Sequence, residues 1–127
     1  MLTVKEAEVW YDDLIKSFGG NMGIFHLFAG PATDKGVEEY EKTQGAVLLD
    51  VRTQQEYAAG HIPGSQNLPL GQLKTMETQI PKKDTPIFVY CYSGARSSQG
   101  AALLKQMGYQ HVKNIGGIAD YHGKVEA

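Results

Sequence analysis

The chain has 127 residues, of which 42% are hydrophobic, and a formal net charge of −2. This length suits one compact domain, and the nearly balanced charge disfavours nucleic acid as a partner. The single cysteine excludes an intrachain disulfide. The chain has no apolar run of the roughly 20 residues that a membrane span needs and no apolar signal-peptide core. We therefore expect a cytoplasmic protein that does not act on membranes.

The first 32 residues predict a helix and then an irregular apolar segment. Thr3 and Glu6 have the spacing of a capping box, and apolar residues follow at helical spacing up to a glycine pair. We expect 1–32 to be an N-terminal helical or irregular extension that packs on a domain formed by 33–127. Its aromatic residues suit core packing, with a partner-binding surface as the alternative; they are Trp10, Tyr11, Phe18, Phe25 and Phe28.

From Thr33 onwards, the pattern alternates between strands and helices. Apolar runs predict strands near 46–51, 66–68, 87–90 and 112–115, the first of them buried on both faces. Helices are predicted from Thr33 or Asp34, from Leu70 and from Ser97–Ser98, and Gly116–Gly117 is a predicted turn. This alternation implies an α/β fold with a parallel sheet flanked by helices.

Cys91 stands where the central strand should end and a tight loop should begin. Ligands of open α/β sheets bind beyond the carboxyl ends of the strands, and a helix N-terminus there offers free N–H groups and partial positive charge. A cysteine in such a place ionises with a pKa well below the ordinary value of about 8.5. The sequence thus predicts a nucleophile that handles sulfur or small oxyanions, with a buried structural cysteine as the alternative.

Three groups of motifs occur in order along the chain. The first comprises Asp50-Val51-Arg52, Glu56-Tyr57, Gly60-His61-Ile62-Pro63-Gly64-Ser65 and Asn67-Leu68-Pro69; the second is Cys91-Tyr92-Ser93-Gly94-Ala95-Arg96-Ser97; the third comprises Gly108-Tyr109 and Asn114-Ile115-Gly116-Gly117-Ile118. Together they resemble the single-domain rhodaneses, a family of sulfurtransferases, and look most like the small bacterial phage-shock and glycerol-operon types. The resemblance covers about Val37 to Glu126.

The resemblance implies a five-stranded parallel sheet with helices on both faces. It also implies that Cys91 carries a sulfane sulfur as a persulfide, without a cofactor. The donor would be thiosulfate, a small anion, or a persulfide, with a protein persulfide donor as a further possibility. Because the chain has no second cysteine, the acceptor would be an external thiol or cyanide.

The loop after Cys91 is the expected substrate-binding site. The backbone N–H groups of Tyr92, Ser93, Gly94, Ala95, Arg96 and Ser97 can converge on the anionic donor and the persulfide. Gly94 allows a positive φ, and Ser97 can supply a hydroxyl donor and a helix cap. Arg96 would orient the donor through its forked N–H groups, the alternative being a surface arginine at a helix start.

Loop length bears on the competing functions. Four residues separate Cys91 from Arg96, whereas the related cell-division-cycle phosphatases and arsenate reductases have five, which gives a wider cradle for a tetrahedral anion. The sequence therefore favours a sulfurtransferase over a phosphatase or arsenate reductase. A sulfur carrier in a relay remains an alternative, and the cysteine disfavours a catalytically silent binding module.

Other polar residues near these motifs have structural interpretations. We expect Asp50 to bond loop amides and Arg52 to pair with Glu56 or another acid. His61 lies in a predicted turn, and we expect a satisfied ring there in preference to acid–base catalysis. No metal site is predicted, because the remaining histidines lack metal-ligand spacing with each other or with the cysteine; they are His26, His111 and His122.

Overall fold

The computed structural model of the protein describes Ala32–Ala127. Of the extension expected over 1–32, residues 1–31, with the capping box and the aromatic residues, lie outside these described residues, and Ala32 is the first residue of a helix. The helices are α1 (Ala32–Lys42), α2 (Gln54–Ala59), α3 (Met76–Gln79) and α4 (Ala95–Gln106), and 3-10 helices cover Leu70–Thr75 and Ile118–Asp120.

A parallel sheet lies at the centre of the described chain. Its strands are β1 (Val47–Asp50), β2 (Ser65–Asn67), β3 (Ile87–Cys91) and β4 (Val112–Gly117), arranged in the order β2-β1-β3-β4. The predicted parallel α/β architecture is confirmed, but the described part of the chain has four strands rather than five. Outside these strands, His61 and Glu126 form an isolated antiparallel bridge.

The central strand β3 is buried along its whole length. Alternate residues point to opposite faces of a strand, so Val89 and Cys91 belong to one core cluster while Phe88 and Tyr90 belong to the other. The first cluster includes Leu104 of α4, Leu73 of the 3-10 helix Leu70–Thr75 and Met76 of α3. The second includes Val37 of α1, so helices cover both faces.

Two local predictions are corrected. Helix α4 begins at Ala95 with Gly94 as its N-cap, so Ser97 and Ser98 lie inside its first turn instead of opening it. Gly116 and Gly117 are not a turn but the last residues of β4, where they pair with Tyr90 and Cys91. A side chain at Gly117 would overlap the backbone of Tyr92, so glycine here permits a close approach of strand and loop.

The pairing of β4 with β3 contains an irregularity beside the loop. Val89 pairs with Asn114, whereas Tyr90 pairs with Gly116, so Ile115 is an extra residue on β4. Such bulges bend a strand and re-aim its side chains. Here the bulge leaves Gly116 at φ 100° and brings the end of β4 against the loop after Cys91.

Gly36 is where α1 meets β4 most closely, because a methyl group there would overlap the side chain of Ile115. We expect Gly36→Ala to lower the free energy of unfolding by about 1–3 kcal/mol through overpacking, although alanine is the better helix former. Urea denaturation measures the change. Gly71→Ala is the matched control, since its added methyl group meets no atom within 4 Å; equal losses in both variants would contradict the prediction.

Candidate active site

The sulfur of Cys91 lies inside a ring of hydrogen-bond donors. The residue is 1% exposed, and its Sγ accepts a hydrogen bond from the Gly94 N–H at 2.9 Å. Backbone N–H groups of Ser93 and Ser97 also point to it, and the Ser97 hydroxyl lies at 3.4 Å. The loop and the first turn of α4 thus converge on one atom.

This ring changes the ionisation of the thiol. Burial raises the pKa of Cys91, but the hydrogen bond from the Ser97 hydroxyl, and those from the N–H groups of Ser97, Gly94 and Ser93, lower it by more. The net effect is a pKa below that of an ordinary thiol. The partial positive charge at the N-terminus of α4 acts in the same direction. Burial alone would make the cysteine inert, so the donors distinguish it from a structural core residue.

The loop that carries these donors is very short. Only Tyr92, Ser93 and Gly94 separate β3 from α4, and Gly94 takes a φ of 103°, in the left-handed region that the sequence anticipates. The predicted role of Ser97 as a helix cap is wrong, because Gly94 is the N-cap and no side chain caps the helix. Ser97 is buried instead, where its hydroxyl faces the sulfur.

The other loop side chains form the outer rim of the site. Tyr92 is 56% exposed, and Ser93 and Ala95 are also exposed. Cys91 therefore lies at the bottom of a small cup whose wall is mostly backbone. A cup of this kind can hold an anion without requiring a cationic side chain.

Arg96 forms an ion pair with Glu56 beside the loop. Its guanidinium makes a bidentate pair with Glu56, with Nη1–Oε1 at 2.7 Å and Nη2–Oε2 at 3.0 Å. Glu56 also completes a capping box with Thr53 at the start of α2. Hydrogen bonds from Arg96, opposed by burial and aided by Thr53, lower the pKa of Glu56 to about 2. The pair is therefore fully ionised at neutral pH and joins the first turns of two helices.

Asp50 and Arg52 form a separate buried ion pair at the end of β1. Arg52 donates through Nε at 3.0 Å and through Nη2 at 2.7 Å to the Asp50 carboxylate, and Nη2 also reaches the Gly60 carbonyl. Burial lowers the pKa of Arg52, but its bonds to Asp50 raise it by more. Asn67 donates to the backbone carbonyls of both residues. The pair holds the carboxyl end of β1, an inner strand of the sheet. The acid that pairs with Arg52 is therefore Asp50 and not Glu56.

His61 is held by α2 and the C-terminal segment. Its ring stacks on Tyr57 with centroids 3.8 Å apart, its Nδ1 lies 2.9 Å from the Tyr57 carbonyl oxygen, and its Nε2 lies 3.7 Å from Glu126. The stacking on Tyr57 and the contact at Nδ1 give the ring a packing role.

Asn114 belongs to the third motif group, but the sequence reasoning gave it no role in the site. Its side chain contacts the Ser97 hydroxyl, the Gly94 carbonyl and the Gly116 N–H. The sequence signal was its place in that motif, between Lys113 and Ile115 and just before the last glycine pair. The pairing of Glu56 with Arg96 was missed as well, because 40 residues separate the two in the chain.

The described residues offer neither a cluster of metal ligands nor a membrane-spanning helix. Among Ala32–Ala127, no three His, Cys, Asp or Glu side chains are grouped so that they could hold a metal ion. In the same part of the chain, no helix is long and apolar enough to span a membrane.

Comparison with known proteins identifies the family. The model of the rhodanese-like domain matches residues 34–124. The chain belongs to the rhodanese-like family. The thiosulfate sulfurtransferase PspE of Escherichia coli is 40% identical over 73 residues, which are 57% of this chain and 70% of PspE. The putative sulfur carrier protein YrkF of Bacillus subtilis is 33% identical over 90 residues, 70% of this chain and 48% of YrkF.

A solved structure supports the same assignment. A rhodanese from Escherichia coli, determined with anions, superimposes with a TM-score of 0.60 and 35% sequence identity. The match covers 64% of this chain and 96% of that one. This rhodanese-like chain thus belongs to the same family as proteins named thiosulfate sulfurtransferase and putative sulfur carrier protein.

The Ser97 hydroxyl makes a testable contribution to the Cys91 thiolate. We expect Ser97→Ala to raise the pKa of Cys91 by on the order of one unit, the equivalent of one lost hydrogen bond. Because the thiolate predominates above the pKa, alkylation by iodoacetamide at neutral pH should slow. The pH dependence of the alkylation rate measures the midpoint, which in the wild type should lie below about 8.5.

Ser98→Ala is the matched control, since Ser98 is exposed on the next position of α4. We expect it to leave the midpoint unchanged. A wild-type midpoint at the ordinary thiol value, or equal shifts in both variants, would contradict the assigned role of Ser97.

Proposed function

We propose that this protein is a sulfurtransferase that moves a sulfane sulfur through a persulfide on Cys91. The observation that carries the proposal is the thiol at the end of β3, surrounded by the N–H groups of Ser93, Gly94 and Ser97. These groups favour the thiolate, which is the nucleophilic form. The same groups suit the persulfide anion that the reaction would leave on the protein.

The reaction has two steps. The Cys91 thiolate attacks the outer sulfur of the donor, a new S–S bond forms, and the donor's S–S bond breaks. The electron pair leaves with sulfite when the donor is thiosulfate, or with a thiolate when it is a persulfide. An external thiolate or cyanide then attacks the outer sulfur and restores the Cys91 thiolate. The acceptor must be external because the chain has one cysteine.

Loop size favours this reaction over phosphoryl or arsenate chemistry. Three residues join Cys91 to α4, and the N–H groups that line the cup lie within hydrogen-bond distance of Sγ itself. A cup closed so tightly around one atom fits a persulfide sulfur better than a tetrahedral anion. We therefore expect no hydrolysis of a phosphate monoester.

The charges near the loop bear on the choice of donor. The exposed rim residues Tyr92 and Ser93 are neutral, and the one cation of the loop, Arg96, is paired with Glu56. The cup therefore has little net positive charge with which to attract a doubly charged donor such as thiosulfate. This arrangement favours a persulfide as the natural donor, with thiosulfate as a usable substitute. In that role Arg96 would orient the donor with N–H groups that Glu56 leaves available.

A sulfur carrier is the second candidate, supported by the similarity to YrkF. A carrier would take the persulfide from a protein donor and release it to a second protein, so it needs a docking surface. The extension over 1–32 is our proposed docking element. A carrier would show single loading by a persulfide donor protein but slow turnover with thiosulfate and cyanide.

Intact mass after incubation with thiosulfate tests the persulfide directly. We expect the wild type to gain the mass of one sulfur atom and to lose it again on addition of cyanide or dithiothreitol. Cys91→Ser should gain nothing, because a hydroxyl provides no thiolate at neutral pH. If neither thiosulfate nor a small organic persulfide modifies the wild type, the proposed function is wrong.

Variants of Arg96 and Glu56 test whether positive charge at the loop controls the binding of thiosulfate. We expect Arg96→Ala to raise the KM for thiosulfate about tenfold with little change in kcat, as loss of a charged hydrogen bond implies. Glu56→Gln should lower this KM several-fold, since it uncovers the positive charge of Arg96. Steady-state kinetics with cyanide as acceptor measures both.

Lys105→Ala is the control for this pair, because it removes the same charge from the far end of α4. We expect its KM to equal that of the wild type. An unchanged KM in Arg96→Ala would show that Arg96 serves the helix contact alone.

A further inference from the structure

The hydroxyl of Ser97 faces more acceptors than it has protons. Its Oγ lies 2.7 Å from Asn114 Oδ1, 3.1 Å from the Gly94 carbonyl, 3.3 Å from the Gly116 carbonyl and 3.4 Å from Cys91 Sγ. A hydroxyl has a single proton to donate, so these acceptors compete for it. The shortest of the four contacts is to Asn114, and the longest is to the sulfur.

The orientation of the Asn114 amide follows from its other bonds. Its Oδ1 accepts from the Gly116 N–H at 3.0 Å, and its Nδ2 donates to the Gly94 carbonyl at 3.3 Å. A flipped amide would set its NH₂ against an N–H and its oxygen against a carbonyl oxygen. The oxygen therefore faces Ser97, where it can only accept.

The bulge in β4 places Asn114 in this position. Asn114 pairs with Val89 just before the register shifts at Ile115, and Gly116 then follows with a left-handed backbone. This local bend turns the Gly116 N–H back toward the Asn114 side chain. The side chain is tied to the backbone on one side and to the active loop on the other.

We propose that Asn114 is a positioning residue that controls the Cys91 thiolate by competing for the hydroxyl proton of Ser97. While the sulfur carries no charge, the Ser97 hydroxyl donates its hydrogen bond to Asn114 Oδ1. As negative charge develops on Sγ, the charged sulfur becomes the stronger acceptor and the proton turns toward it. No proton is transferred and no bond to oxygen breaks; only the hydrogen bond changes partner.

During sulfur transfer this exchange would occur twice. Charge leaves Sγ when Cys91 attacks the donor and returns to Sγ when the acceptor removes the outer sulfur. In the first step the Ser97 hydroxyl would end its hydrogen bond to Sγ. In the second step it would form that bond again and stabilise Sγ as the leaving group. This use of the exchange rests on the proposed function, whereas the competition for the proton in the resting protein does not.

The alanine variants that test this leave the charged groups around Cys91 unchanged. These groups are Arg96 on α4 with its partner Glu56 on α2, and the Asp50–Arg52 pair at the end of β1. On β4 itself, Lys113 pairs with Glu39 of α1. A comparison of Asn114→Ala with the wild type therefore isolates the effect that passes through Ser97.

The test is a double-mutant cycle on the pH midpoint of Cys91 alkylation by iodoacetamide. Asn114→Ala removes the competitor, so we expect the midpoint to fall by about half a unit. In the Ser97→Ala background, the same substitution should leave the midpoint unchanged. If Asn114 only braced the loop, its loss would misalign the N–H groups and raise the midpoint in both backgrounds, which would overturn the proposal.

Two further variants sharpen the result. Asn114→Asp puts a charged acceptor beside Ser97, so we expect the midpoint to rise, with the rise smaller when Ser97 is absent. Asn67→Ala removes another asparagine that bonds strand-end carbonyls but does not contact Ser97, and it should not shift the midpoint. A shift in Asn67→Ala as large as that in Asn114→Ala would contradict the proposal. If the cycle behaves as expected but no persulfide forms, the proposed function fails and this inference stands.

Discussion

The site depends on how closely the end of β4 approaches the loop after Cys91. Gly117 lies against the backbone of Tyr92, where no side chain fits, and Gly94 lies against Gly116. Further hydrogen bonds surround this contact. The Tyr92 carbonyl accepts from the Ala119 N–H. The Thr33 hydroxyl of α1 donates to the Gly117 carbonyl and accepts from the Gly117 N–H. Because these contacts hold the outer side of the short loop, its N–H groups stay directed at the sulfur.

Charge is distributed around the sulfur as paired ions plus backbone dipoles. Arg96 is matched by Glu56 and Arg52 by Asp50, so the formal charges near the site cancel. What remains is the field of oriented N–H groups and the helix terminus, which acts at short range and needs no rearrangement when charge appears on the sulfur. A site of this type stabilises a small anion closely bound to Cys91 more than a distant one.

The sequence predicted those parts of the site that rest on local chemistry. Cys91 at a strand end and Gly94 at a positive φ follow from side-chain patterns within a few residues, and so does the central strand before Cys91. The pairing of Arg96 with Glu56 depends on how α2 and α4 meet in space, and no local pattern encodes it. The start of α4 was misplaced because serines commonly cap helices, whereas here the left-handed glycine does. Asn114 was missed because a one-residue bulge decides where its side chain points.

Because Cys91 is the single cysteine of the chain, no second thiol of the chain can protect it from oxidants. The thiolate is the form of cysteine that peroxide oxidises, and its first product, a sulfenic acid, ordinarily escapes further damage by condensing with a neighbouring thiol. This chain has no second cysteine, so a resting Cys91 relies on small thiols in solution to intercept the sulfenic acid before it becomes a sulfinic acid. The supply of acceptor thiol that would sustain turnover would then also preserve the nucleophile.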